Sequence, residues 1–427
     1  MTQYKLRFLI PFIVLVLITH SVVFAGEISR VNPEELGFSS ERMQRLSNVF
    51  QAYADDGKLA GGVVLVARHG KVAYLESFGL RDRESGSPMQ DDSIFRIASQ
   101  TKALVSVGIM MLQEEGLLLI SDPVGKYLPE FQETTVAIPK ESGGYEVVKA
   151  DRPVTIRDLL THTSGIGYGD GTAADRWQEA AIQGWYFAHR DEPIRETVSR
   201  MAALPFDAQP GELFVYGYGT DILGALIETI SGEPLDDFLK TRLLTPLGME
   251  DTCFYLPVAK KERLATVYSA TDTSGLGRAP DLGGMVSQGA YIEGPRKSFS
   301  GGAGLLSTAG DYAKFLQMML NGGELNGNRF LSPKTIELMT MNHLGKVSFP
   351  WAEGTGFGLG FYVIEETGTR GLPESIGEYG WGGAYHSAYW VDPKEQLLVV
   401  YLTQLIPAND LDDHEKLRAL VYQALID

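Results

Sequence analysis

The sequence predicts an α+β fold. An antiparallel sheet is built from strands near both ends of the chain and flanked by helices, with a mostly helical region inserted between them. Three observations predict it. β-rich runs occur near residues 61–79 and again after 357, leaving the middle without them. Residues 116–300 instead carry apolar positions at helical spacing, punctuated by Pro and Gly. No repeat or low-complexity tract separates these parts, and 44% apolar content over 427 residues suffices for a large core.

The first segment reads as an export leader. Lys5 and Arg7 precede the apolar stretch "FLIPFIVLVLI", and Val23 and Ala25 place short side chains before a cut after Ala25. The apolar run is short and interrupted by Pro11 and His20, so it predicts a cleaved leader rather than an anchor. The expected mature chain, 26–427, is one domain, secreted or periplasmic and not stably inserted in a membrane. Its sheet region covers about 36–115 and 300–427, its helical region about 116–300. A formal charge of −17, more negative after loss of Lys5 and Arg7, argues against nucleic acid as a partner. The lone Cys253 excludes an intrachain disulfide and a cysteine-based metal site.

Met43, Leu46, Phe50 and Tyr53 mark one face of a helix over 39–56. "GVVLVARHGKVAYLESFG" then gives two β runs joined at His69-Gly70, a hairpin. A helix is predicted from Ser99 to about Glu115. In the middle, "TIRDLLTHTSGI", "FVYGYGTDILGALIETISG" and "DDFLKTRLLTPLGM" each carry an apolar helical face. "GLGFYVIEE", "HSAYWVD" and "LLVVYLTQL" return to strand, and "LDDHEKLRALVYQALID" closes with a helix whose first turn is acidic.

The chemistry concentrates in "IFRIASQTKALVS", residues 94–106. Lys102 is the only charged residue between Ile97 and Gln113, in a run fit for a buried helix. Burying a lysine is costly unless it is paired or deprotonated. On a helix, positions i and i+3 share a face, so Ser99 and Lys102 can meet. Serine needs a base within hydrogen-bond reach, and a desolvated lysine can supply one. No other lysine of the chain has serine three residues before it. "PGELFVYGYG" offers Tyr216, a phenol that a neighbouring lysine would push toward phenolate. "GWGGAYHS" offers Trp381, Gly382 and Gly383 before a β run, where glycines admit close approach and the Ala384 N–H could face a carbonyl under attack.

These three segments in this order resemble the serine β-lactamase-like family, which includes penicillin-binding proteins, class C β-lactamases, D-alanyl-D-alanine carboxypeptidases and family VIII-type carboxylesterases. "DPVGKYLPEF", "TIRDLLTHTSGI", "SGGAGLLSTAGDYAKFLQMMLNGG" and "GFGLGF" extend the likeness to about residues 36–420. The resemblance implies a β-lactamase/transpeptidase-like fold with Ser99 as nucleophile, Lys102 as its activating partner and Tyr216 as general base. It implies an oxyanion hole from the N–H groups of Ser99 and Ala384, with Gly382 and Gly383 shaping the edge along which substrate lies. It implies no cofactor.

Two departures bear on substrate. Tyr218 stands where penicillin-binding members place the asparagine that holds the substrate amide, and Trp381 where they place a lysine for its carboxylate. Losing both disfavours anionic peptide-like substrates. Tyr218 and Trp381 are then expected to bind substrate, and His386 is a candidate for the pocket wall. The expectation is an ester hydrolase acting through an acyl-enzyme on a small-molecule ester or amide. β-Lactamase, D-alanyl-D-alanine carboxypeptidase or D-aminopeptidase activity is the alternative, and a penicillin-binding sensor that acylates without turnover is the alternative of another class. No Gly-x-Ser-x-Gly elbow occurs, "GGAGLLSTAG" lacks the lysine of a phosphate loop, and no His pair has metal-ligand spacing.

Overall fold

The computed structural model describes residues 28–271, 275–408 and 411–427; the leader expected at 1–25 lies outside them. Strands of the main sheet, numbered in chain order, are β1 (Gly61–Arg68), β2 (Lys71–Asp82), β3 (Ser87–Pro88), β4 (Thr355–Phe357), β5 (Tyr362–Ile364), β6 (Tyr379–Gly383), β7 (Ser387–Asp392) and β8 (Leu397–Thr403). They form one sheet in the order β4-β5-β6-β7-β8-β1-β2-β3. β8 pairs antiparallel with β1, placing Val64 opposite Tyr401, so the last strand closes onto the first. This is the sheet assembled from distant segments that the sequence predicts.

The β1–β2 hairpin turns at His69 (φ 52°) and Gly70 (φ 75°), the left-handed pair that a two-residue hairpin loop requires. β1 is buried along its whole length, and its alternating side chains serve two cores. Val63, Leu65 and Ala67 join the core that contains helix α2 (Thr101–Glu114), helix α3 (Gly219–Ser231) and helix α4 (Ala309–Leu320). Val64 and Val66 face the other core, with helix α1 (Ser40–Asp55) and helix α5 (Asp413–Tyr422). Phe50 of α1 meets Tyr53, Phe78 and Tyr401 edge-on there. Full burial of such a ring contributes about 1.5–3 kcal/mol.

The middle of the chain is less helical than the spacing predicts. Hairpins at Thr135–Pro139/Tyr145–Lys149 and Tyr268–Ala270/Leu276–Arg278 interrupt it. Both consist of short strands tied to distant residues; Ala137 N–H donates to Phe206 O at 2.9 Å, and Tyr268 N–H to Gln404 O at 2.9 Å. The helix expected to begin at Ser99 also starts later. Ala98–Gln100 is a 3₁₀ turn and α2 begins at Thr101. Ala98, fully buried, has φ 42°, a left-handed backbone that costs a non-glycine residue roughly 1–2 kcal/mol. That strained residue immediately precedes Ser99, where the chain turns sharply from the short strand at Phe95–Arg96 into α2.

A candidate active site

Ser99 reaches the surface of a cavity of about 370 Å³ between the end of β6 and the helical region. Tyr168, Trp185, Tyr216, Trp351, Tyr362, Trp381, Gly382, Gly383 and Ala384 complete its wall. Among the described residues that line it there is no lysine, arginine or carboxylate. The elements bring together Ser99, Tyr216, Trp381, Gly382, Gly383 and Ala384 from three separate segments of the chain, as the resemblance implies.

Lys102 lies just behind this wall and is 2% exposed. Its ammonium donates to Gly302 O at 2.8 Å, Tyr168 Oη at 3.0 Å and Ser99 Oγ at 3.4 Å. It also sits 4.6 Å from the centroid of the Tyr216 ring, on whose face a cation is attracted. Its partners are thus one carbonyl, two hydroxyls and a π face. The nearest compensating charge lies one residue further back. Asp221 of α3 is fully buried and accepts hydrogen bonds from Ser300 Oγ at 2.6 Å and Gly302 N–H at 3.1 Å. Burial pushes its carboxyl above the ordinary range, and Ser300, the charge of Lys102 and the Gly302 N–H offset part of that rise. One residue therefore serves both side chains, with the Gly302 carbonyl on the lysine and its N–H on the carboxyl group. A Cβ at 302 would stand 2.4 Å from Asp221 Oδ2, which is why glycine occupies the position.

Tyr216 is held from two sides. Trp381 Nε1–H donates to its hydroxyl at 3.0 Å, and the His162 ring packs 4.6 Å from its own. His162 has φ 55° and lies 2% exposed among Phe214, Tyr216 and Phe357. Burial, with the charge of Lys102, holds the imidazole well below its usual range, so it is a neutral packing group. Tyr168 is raised well above the usual phenol range by burial and by Tyr216, Asp221 and Tyr218 nearby. Its hydroxyl stays protonated while it accepts from Lys102.

The N–H groups of Ser99 and Ala384 donate no hydrogen bond to any other described residue. Unpaired donors in a largely buried wall are costly, and two of them beside a serine hydroxyl suit a developing oxyanion. β6 packs against the turn that carries Ser99: a Cβ at Gly383 would meet Ile97 O at 2.6 Å. Glycine there lets the strand edge close on the nucleophile.

Two expected site residues lie elsewhere. Tyr218 is fully buried beneath the cavity, its hydroxyl donating to Gly184 O at 2.8 Å and its ring stacked on Trp177. Gly217 explains the difference. Packed so tightly that a Cβ would lie 2.3 Å from Ile166 O, it turns the chain into α3, so Tyr216 and Tyr218 point apart. His386 is also absent from the wall; its Nε2 faces Asp413 Oδ1 at 2.8 Å. His386, Asp413 and His414 have donor types that suit a divalent ion and lie within 4.8 Å of one another. The two imidazoles, however, are stacked 4.3 Å apart at 25°, so their in-plane lone pairs run side by side rather than converging. Tyr168 and Asp221 were not singled out from sequence. Each carried a signal: Tyr168 stands between Gly167 and Gly169, and Asp221 is an acid in the first turn of an otherwise largely apolar helix, as Lys102 is a base in one.

A sheet closed by both chain ends and a serine–lysine pair beside a tyrosine in a pocket define a serine hydrolase of the β-lactamase-like fold. The comparisons agree: the family profile described as Beta-lactamase matches residues 46–423, and the chain belongs to that family. It is 32% identical over 373 residues to esterase EstB of Burkholderia gladioli, covering 84% of this chain and 89% of that protein. It is 34% identical over 370 residues to protein Rv1367c of Mycobacterium tuberculosis, with the same shares covered. Among solved structures, EstCE1, described as a hydrolase with promiscuous acyltransferase activity, superposes with TM-score 0.75 at 27% identity, covering 90% of this chain and 99% of that one.

Proposed function

We propose that this protein is an exported carboxylic-ester hydrolase working through an acyl-enzyme on Ser99. The observation that carries the reading is the cavity around Ser99: aromatic, about 370 Å³, and without a charged side chain among its described lining residues. A carboxylate-bearing β-lactam or D-Ala peptide would find no cation there, whereas an ester with an apolar acyl group loses little on entering. The esterase relatives support the same choice, and the N-terminal leader motif supports export.

In this mechanism Ser99 Oγ attacks the ester carbonyl carbon as its proton passes to Tyr216, whose hydroxyl accepts from the Trp381 N–H and whose ring faces the Lys102 amine. The oxyanion is held by the N–H groups of Ser99 and Ala384. The C–O bond then breaks, and the alcohol departs with the proton from Tyr216. Water attacks the acyl-enzyme by the same route, releasing the acid and restoring Ser99. Lys102 bridges Ser99 Oγ, the Tyr168 hydroxyl and the face of Tyr216, which keeps the three aligned.

Purified protein assayed on a short-chain nitrophenyl ester, a chromogenic cephalosporin and a D-Ala-D-Ala peptide tests this. Ester turnover far above the other two is expected, with acyl-Ser99 seen by mass spectrometry after rapid quenching. A cephalosporin rate above the ester rate would transfer the assignment to β-lactam hydrolysis. A single burst without turnover would make the protein a sensor.

A further inference from the structure

The Ala384 N–H sits in a turn whose far end is fastened to the last helix. Gly383, Ala384, Tyr385 and His386 form a four-residue turn between β6 and β7, closed by His386 N–H donating to Gly383 O at 3.0 Å. His386 has φ 64°, a left-handed backbone unusual for a residue with a side chain. Such a conformation persists where the surroundings over-determine it. Here they do so at three points, all from the first turn of α5. His386 Nε2 faces Asp413 Oδ1 at 2.8 Å; a carboxylate only accepts, so this nitrogen carries a proton. His414 Nε2–H donates to the His386 carbonyl at 3.2 Å, and the two rings stack. Asp413 is fully buried and is itself fixed by the Tyr401 hydroxyl of β8, which donates to Oδ2 at 2.8 Å. Neither His386 nor Asp413 touches the cavity, so nothing in the proposed chemistry requires them.

We infer that His386 is a positioning residue: its tether to Asp413 fixes the turn that aims the Ala384 N–H at the developing oxyanion. The inference rests on the oxyanion role given to Ala384 above. The device acts through a backbone peptide, so it should change the rate of attack and leave ground-state binding alone.

The test uses a fluorophosphonate, which phosphonylates Ser99 through an oxyanion whatever the natural substrate, alongside a nitrophenyl ester. His386→Asn accepts the left-handed backbone but is too short to reach Asp413, and His386→Gly relieves the backbone and removes the tether. Both are expected to slow phosphonylation and kcat about tenfold with KM within twofold. That is less than the 10²–10³-fold that follows outright loss of an oxyanion donor. His386→Gln, which returns an N–H within reach, should recover most of the rate. The inference is overturned if the Asn and Gly variants phosphonylate within twofold of wild type, if only KM or thermal stability moves, or if the Gln variant is no better. Failure of the ester reading would show separately, as wild-type protein that is phosphonylated but does not turn over esters.

Discussion

Two buried cations in this protein are treated in opposite ways. Arg418 on α5 is 6% exposed and forms a two-pronged pair with Glu378, Nη1 to Oε2 and Nη2 to Oε1 both at 2.7 Å. Tyr422 adds a hydroxyl to the same carboxylate at 3.0 Å, and the guanidinium lies over Trp390. Lys102, buried still more deeply, faces a carbonyl, two hydroxyls and an aromatic ring, with the Asp221 carboxyl group behind Gly302. The arginine is satisfied where it stands. The lysine retains unspent attraction for negative charge, and the groups placed to receive it are a serine hydroxyl and a phenol. In this pair the cation with a matched carboxylate holds structure together, and the one with neutral partners stands beside the candidate nucleophile.

The sharpest way to break this contrast is at the lysine's side. Ser99→Ala should lower kcat by about 10³-fold or more with the unfolding transition unchanged, and Lys102→Met should do nearly as much. Lys102→Met should also leave stability equal or higher, since it replaces an incompletely compensated charge with an apolar chain of similar length. A Lys102→Met protein that unfolds early would show that the lysine is structural after all. On the other side, Arg418→Met strands a buried carboxylate and should cost about 3–5 kcal/mol in denaturant unfolding, while molecules that remain folded keep their kcat. Loss of activity with no loss of stability there would erase the distinction.

Smaller changes sharpen it. Tyr168→Phe removes one acceptor from Lys102 and should lower kcat roughly tenfold, within the range of a single hydrogen bond to a charged group; an unchanged rate would place Tyr168 in the wall only. The mildest effect is in pH. His162 and His414 both have folded pKa values below the ordinary 6.5, held down first by burial and then by a neighbouring basic group, Lys102 for one and His386 for the other. The folded state therefore binds their protons less readily than the unfolded chain does. The stability they give is present above about pH 6.5 and is lost as pH falls below it. Unfolding midpoints should drop between pH 7.5 and 5.5, on the order of 1 kcal/mol. His162→Asn, which tolerates the left-handed backbone, should flatten the slope.

Much of this was legible in the sequence because it is local. The His69-Gly70 turn, the apolar face of α1 and the three-residue spacing of Ser99 and Lys102 each depend on neighbours along the chain. What the sequence did not reveal is set by distant partners. Lys102 depends on Gly302, two hundred residues away, and on Tyr168, neither adjacent in any motif. Tyr218 was expected in the site because it stands where related proteins place a substrate-binding asparagine, but tertiary packing at Gly217 turns the chain and carries its ring beneath the cavity. His386 looked like a pocket residue because it follows two glycines that are. Only the fold shows that α5, whose Asp413 lies 27 residues further on, draws its ring away.

The aromatic wall has one more consequence. Trp185, Trp351 and Trp381, three of the five tryptophans of the chain, border the same cavity, and Trp351 is 58% exposed to water at its mouth. Any molecule that settles beside Ser99 changes the polarity around most of the protein's indoles at once. Occupancy is thus written into the ultraviolet emission of the protein, and ligands that are bound but never cleaved can be ranked by light alone, without label or turnover.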